Sequence, residues 1–263
     1  MLTISHRIPV LMYHRVGIAH NAWEGRYCVS PNRFAEHMHR LAAQGRQACS
    51  LGDFFAWLEG NKELPEGSFL LTFDDGFLGV YEHAVPVLHD LGWPATVFLV
   101  SQLIGGQDVW CQAENPAGIT YPLMSKKDIE AMRGMGFSFH SHTRLHPDLT
   151  TLSDDELTQE LAGSRQDLEE LLQEPVTCLA YPYGRYDERV VTASRKAGYR
   201  VAFSTQPGFN RQNVDLYRIR RLDISGTDTP AMLGRKVYFG SNDGSWRHSL
   251  RYYGKRIRQR LRL

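Results

Sequence analysis

Short apolar runs alternate along this chain with longer segments whose apolar residues recur every three or four positions. That alternation predicts strands joined by helices, the pattern of an α/β fold with a parallel sheet. Val10 to Tyr13 reads as the first strand, and Ser68-Phe69-Leu70-Leu71-Thr72-Phe73 as a strand buried on both faces. Ala95 to Val100, Cys178 to Tyr181, Tyr199 to Thr205 and Leu216 to Ile224 read as further strands, and Phe137-Ser138-Phe139 as a short alternating one. Between them, Phe34, Met38 and Leu41 share one helical face behind an N-cap at Ser30-Pro31, with Gly45 as the stop. Val80 to Leu91 predicts a helix kinked at Pro86, and Ser125 to Met135 a short one. Ser153-Asp154-Asp155-Glu156 is a capping-box pattern that opens a long helix to about Leu172, and Asp187 to Ala197 predicts a helix ended by Gly198. No repeat and no low-complexity segment interrupts this order.

Length and composition bound the architecture. The chain has 263 residues, 42% of them hydrophobic, enough for one sizeable core rather than two. We read residues 1–246 as one catalytic domain and residues 247–263 as a separate tail. A formal net charge of +1 argues against nucleic-acid binding. Cys28, Cys49, Cys111 and Cys178 lack close paired spacing and read as reduced, small side chains. The amino end lacks a charged lead followed by a long apolar stretch, and no run is long enough to span a bilayer. A cytoplasmic location is the expectation.

Charge is unevenly spread. Residues 247–263 hold seven basic side chains, from Arg247 to Arg262, and no acidic one. The rest keeps 23 basic residues against 29 acidic ones, so the body is about −6 and the tail +7. Leu250, Ile257 and Leu261 share a helical face with Tyr253 or Gly254. This predicts an interfacial helix drawn to an anionic membrane surface, peripheral on its inner face. A solvated basic tail, or one docked on the acidic body, is the alternative.

The candidate chemistry begins where the strand ending at Phe73 runs into Asp74-Asp75-Gly76. Two adjacent carboxylates at the rim of a core are costly unless a positive charge binds there or one holds a proton. Asp-Asp-Gly alone is also an ordinary turn. A second half-site changes that reading. His142 and His146 lie four apart just past the Phe137-Ser138-Phe139 strand, and Pro147 keeps them off a continuing helix. Two imidazoles and one carboxylate make a divalent-metal site with room for water and substrate. His140 shares a strand face with His142, and we read it as a packing or supporting residue.

These residues carry a resemblance. Thr72-Phe73-Asp74-Asp75-Gly76, His142-Thr143-x-x-His146 and Tyr181-Pro182-Tyr183-Gly184 resemble the successive motifs of the polysaccharide deacetylases, the NodB-homology or carbohydrate esterase family 4 group. The opening Pro9-Val10-Leu11-Met12-Tyr13-His14-Arg15-Val16 resembles the poly-N-acetylglucosamine deacetylase branch, in which the histidine motif stands at the amino end. The resemblance runs from about residue 8 to about residue 224. It implies a distorted (β/α) barrel of about seven strands. It implies Asp74 as general base, Asp75, His142 and His146 as ligands of a divalent metal, and the backbone N–H of Tyr183 facing the oxyanion. His14 would be the general acid. The implied metal is zinc, with cobalt, nickel or manganese as alternatives. One departure stands out: the arginine that often opens the third motif and pairs with the base is Ala180 here. Alternation in Tyr217-Arg218-Ile219-Arg220-Arg221-Leu222-Asp223-Ile224 puts Arg221 and Asp223 on one face, with Arg218 and Arg220 on the other. We assign Arg221 as partner of Asp74. A solvated basic edge strand is the competing reading.

The chemistry suits these side chains. An acetamide resists water, so hydrolysis needs a nucleophile, a polarised carbonyl, oxyanion stabilisation and a proton for the amine. A carboxylate near neutral pH takes the first proton, and a histidine gives the second. The expected function is metal-dependent removal of acetyl from an N-acetylated glycan, either a polysaccharide or a lipid-linked intermediate. The alternatives are an amidohydrolase on a small non-sugar amide and a glycan-binding module without turnover. Trp110, Tyr121 and Tyr183 are aromatic enough to stack on a sugar, but each also suits an ordinary core or loop position.

Overall fold

A computed structural model describes residues 7–248. The strands are β1 (Val10–Tyr13), β2 (Arg15–Val16), β3 (Cys28–Val29), β4 (Gln47–Cys49), β5 (Ser68–Phe73), β6 (Ala95–Leu99), β7 (Phe137–Ser141), β8 (Cys178–Ala180), β9 (Val201–Phe203) and β10 (Leu222–Asp223). The helices are α1 (Pro31–Ala43), α2 (Leu51–Leu58), α3 (Val85–Leu91), α4 (Lys126–Arg133), α5 (Asp154–Leu172), α6 (Glu188–Lys196) and α7 (Pro230–Phe239).

One parallel sheet runs in the order β10-β1-β5-β6-β7-β8-β9, with β4 added beside β5. This is the predicted barrel of about seven strands. β2 and β3 form a separate small ladder. The two edges of the main sheet meet through residues 219–223. Ile219 bridges Phe203 in parallel, and Leu222 then pairs with Leu11 of β1.

Period-two alternation sorts the strand residues into two cores. Leu11, Tyr13, Phe69, Leu71, Phe73, Val97 and Phe139 pack outward on helix residues such as Phe34, Met38, Val80 and Leu161. Val10, Leu70, Phe98, Cys178, Ala180 and Phe203 form the inner cluster, which α2 joins through Phe54, Trp57 and Leu58. β4 pairs with the first half of β5, from Gln47↔Ser68 to Cys49↔Leu70, so β4 and the helix after it lie away from Asp74. All six residues of β5 are buried, as expected of a strand covered on both faces.

Local chemistry explains the helix starts. The Ser30 hydroxyl accepts from Arg33 N–H, with Pro31 in the first turn. Ser125/Asp128 and Ser153/Glu156 are both complete capping boxes. Removing such a cap typically costs about 1 kcal/mol.

Two predicted elements differ. The segment Val80 to Leu91 is not a helix kinked at Pro86. A π-helical turn covers Val80–Ala84, and Pro86 sits in the first turn of α3, where its missing N–H costs nothing. The segment Leu216 to Ile224 is not one strand. A turn bonds Arg218 N–H to Asp215 O, Ile219 makes a single bridge, and only Leu222–Asp223 form a strand. The segment passes from β9 to β1, and neither neighbour runs alongside it for its full length. Among the described residues no helix is long and apolar enough to cross a membrane. The four cysteines are free. The predicted tail helix falls almost wholly on residues 249–263, outside the described residues.

Gly184 illustrates how the rim is built. Its φ is +66°, and an added Cβ would stand 2.0 Å from Thr205 Oγ1. Gly184→Ala is therefore expected to destabilise the fold by on the order of 1–3 kcal/mol, read as a lower urea midpoint at unchanged slope.

Candidate active site

Parallel strands deliver their C-terminal ends to one rim, and the site forms there. β5 ends at Phe73 and leaves Asp74 and Asp75. β7 ends at Ser141 and leaves His142, with His146 in the turn that follows. β1 leads into His14, and β8 into Tyr183. Register holds these exits level: Asp74 N–H bonds Tyr13 O at 2.9 Å, and His142 N–H bonds Leu99 O at 2.8 Å.

The backbone at the rim is strained. Asp75, Thr143, His146 and Tyr183 have φ of 72°, 69°, 63° and 57°, and the other non-glycine residue in this region among those described is Gln173. Each such conformation costs on the order of 1–3 kcal/mol and persists only where surrounding contacts impose it. Thr143 imposes part of it, since its hydroxyl accepts from His146 N–H at 3.1 Å. Gly76, with φ +80°, is needed because a Cβ would meet Leu99 Cδ2 at 2.7 Å.

Asp75, His142 and His146 converge as predicted. Their donor atoms all lie within 4.8 Å of one another, and all three residues are buried. Asp75 Oδ1 stands 3.4 Å from Nε2 of both His142 and His146. Donors bonded to one tetrahedral cation at about 2.0–2.1 Å stand roughly 3.4 Å apart. Asp75 Oδ1 is buried with no hydrogen-bond partner among the described residues. Burial first, then the Asp74 and Asp108 charges, push its pKa well above the usual carboxylate range. Burial pushes His142 down to about 4, and His146 well below its usual value, so both rings are neutral and their lone pairs available. His142 Nδ1 bonds the Ala180 carbonyl at 2.8 Å, which leaves Nε2 free to face Asp75. The donor set fits a divalent cation.

Asp74 is held differently. Arg221 is fully buried and forks onto it, with Nη1 donating to Oδ1 at 2.6 Å and Nη2 to Oδ2 at 2.8 Å. Its Nε donates to Ser204 O at 2.9 Å. The solvated edge-strand reading of Arg221 is thereby excluded, and Ala180 leaves Asp74 with a partner. Burial alone would raise the Asp74 pKa, but the Arg221 charge, helped by His142 and the hydrogen bonds, outweighs it and holds it at about 2.

His14, Tyr183 and the metal-site residues line one cleft of about 650 Å³, in which Arg15 and Asp108 also stand. His14 Nδ1 is buried without a hydrogen-bond partner among the described residues, and its ring meets Tyr27 edge-on. The Tyr183 ring stands 4.6 Å from that of His146. His140 is buried and joins neither the cluster nor the cleft lining, in keeping with packing. Sequence reasoning missed Glu24, Asp108 and Asn115, and left Trp110 open. Trp110 stacks on His146 at 4.7 Å, and Glu24 binds Asn115 across 91 positions, a separation at which no local pattern gives a signal.

Comparisons with known proteins agree with this geometry. The chain is 28% identical over 228 residues to YxkH of Bacillus subtilis, covering 87% of this chain and 74% of that one. It is 28% identical over 211 residues to a Staphylococcus epidermidis protein named poly-beta-1,6-N-acetyl-D-glucosamine N-deacetylase, covering 76% and 68%. The Bacillus cereus polysaccharide deacetylase BC0361 superimposes with a TM-score of 0.70 at 28% identity, over 86% of this chain and 67% of that one. The Streptococcus pyogenes deacetylase PplD shares the fold, with a TM-score of 0.75 at 24% identity, over 89% and 99%. The sequence model described as "Polysaccharide deacetylase" matches residues 61–202, a span that runs from ahead of the paired aspartates past both histidines and Tyr183. More than half of the chain lies within that match, and we conclude that it belongs to the polysaccharide deacetylase family.

Proposed function

We propose that this chain is a metal-dependent hydrolase that removes acetyl from an N-acetylhexosamine unit of a glycan, releasing acetate and a free amine. The observation that carries this reading is the division of labour between adjacent acids. Arg221 keeps Asp74 ionised, while Asp75 turns its unpartnered oxygen to two neutral imidazoles. A zinc ion held by Asp75, His142 and His146 would supply Lewis acidity to the acetamide carbonyl and the attacking water. Asp74, ionised beside it, takes the proton of that water as its oxygen bonds to the carbonyl carbon. The Tyr183 backbone N–H faces the oxyanion that develops. His14, which lines the same cleft, gives a proton to the nitrogen as the C–N bond breaks. The aromatic side chains of the cleft suit a sugar ring. The names of the staphylococcal relatives favour β-1,6-linked N-acetylglucosamine as the substrate class.

Acetate release from N-acetylglucosamine oligomers tests the proposal, with and without a chelator. Activity is expected to vanish with the chelator and return with zinc. His146→Ala is expected to lose both metal and activity. Asp74→Asn is expected to keep metal while turnover falls about 10²–10⁴-fold. Metal-free protein that hydrolyses as well as loaded protein would end the proposal.

Arg221 has its own pH signature. The depressed pKa of Asp74 contributes about 2 kcal/mol of stability above pH 4, lost as pH falls through about 2. In Arg221→Met, burial loses the largest charge that opposes it, and that pKa rises. The acidic limb of the kcat/KM profile is then expected to move to higher pH. Unfolding free energy at pH 7 is expected to drop by about 3–5 kcal/mol, because a buried charge has lost its partner. An acidic limb unchanged from wild type would show that Arg221 does not tune Asp74.

A further inference from the structure

The two imidazoles of the metal site are oriented by different means. His142 has a hydrogen-bonded carbonyl behind it, the arrangement usual for a ligating histidine. His146 has none: its Nδ1 is buried and bonded by no group among the described residues. Rings surround it instead. Trp110 lies face to face with it, centroids 4.7 Å apart and planes at 25°. Tyr183 meets it edge-on at 4.6 Å, and His142 does so at 4.8 Å. Stacked faces resist tilting, so the Trp110 contact limits the direction in which His146 Nε2 can point.

Trp110 belongs to a segment between β6 and α4 with little regular structure, so something must hold it. Its anchor is Glu24, which is buried (2% exposed) on the segment between β2 and β3. Glu24 Oε1 accepts from Tyr121 OH at 2.8 Å and from Asn115 Nδ2 at 3.0 Å, both beyond Trp110 in the same segment. Oε2 accepts from Arg15 Nη2 and from His20 N–H, each at 2.8 Å. The Arg15 guanidinium also lies 3.4 Å from the Tyr121 ring centroid. One carboxylate thus ties the Trp110 segment to the chain leaving β1.

We propose that Trp110 is a positioning residue for the metal ligand His146, and that Glu24 sets Trp110 by pinning its segment to the barrel. Neither residue belongs to the three-ligand set, yet both act on how firmly the cation is held. The inference rests on the metal-site reading above.

Zinc affinity and zinc release rate of the purified protein, measured by chelator competition, test it without any substrate. Trp110→Ala is expected to weaken zinc binding about 10–100-fold, the range for residues that support a ligand from behind, and to speed release. Trp110→Phe keeps a ring face and is expected to stay near wild type. Trp110→Leu keeps apolar bulk without a face and is expected to fall with Ala. Glu24→Gln keeps size but not charge, and is expected to lie between. Equal affinity in the Phe and Leu variants would overturn the stacking role, and wild-type affinity in Glu24→Gln would overturn the anchoring role. Wild-type protein that takes up no zinc would overturn the metal-site reading itself. Unfolding of each metal-free variant at the wild-type midpoint identifies a lost affinity as local.

Discussion

The bidentate pair between Asp74 and Arg221 is the contact on which site and barrel both depend. Asp74 caps β5, a strand with neighbours on both sides, and Arg221 lies on the short segment that joins the two sheet edges. The same guanidinium reaches Ser204 O just past β9. A buried ion pair is weak evidence of net stability, because desolvation offsets attraction, but removing one partner is costly. The pair therefore ties the end of β5 to the segment that joins the two sheet edges.

That pairing also separates the fates of two neighbouring acids. Side by side in a buried rim, both carboxylates cannot stay ionised unless positive charge is supplied to each. Arg221 neutralises one from within the chain. The other is left with an unpartnered oxygen and two neutral imidazoles, an arrangement that gains from a cation. A permanently charged arginine thus settles one acid, and its neighbour in sequence is left facing two imidazoles.

Around this pair the rim is built rigid and strained. Four non-glycine residues with positive φ lie in or beside the cluster, and strand-end hydrogen bonds hold two of the exits level. Strain of that kind is tolerable only where the core beneath is well packed. The cores that α1 to α7 complete thus hold Asp75, His142 and His146 close to the spacing a tetrahedral cation needs.

The alternation of apolar runs, the capping boxes and the three motifs were legible because each depends on residues close in sequence: strand period, cap geometry and the turn after a strand are local physics. Asp74, Asp75, His142 and His146 could be named, since residues at the ends of parallel strands reach one rim whatever the loops do. Arg221 was only one of two readings, because a basic residue on an edge and one buried against a carboxylate look alike until the sheet closes. The segment from Leu216 to Ile224 was overread as a strand, since its pairing depends on neighbours far away in sequence. Glu24 carried no local signal, and Trp110 only that of an aromatic suited to a sugar or to a core. Their roles come from contacts across 91 and 36 positions, which exist only once the fold has brought those segments together.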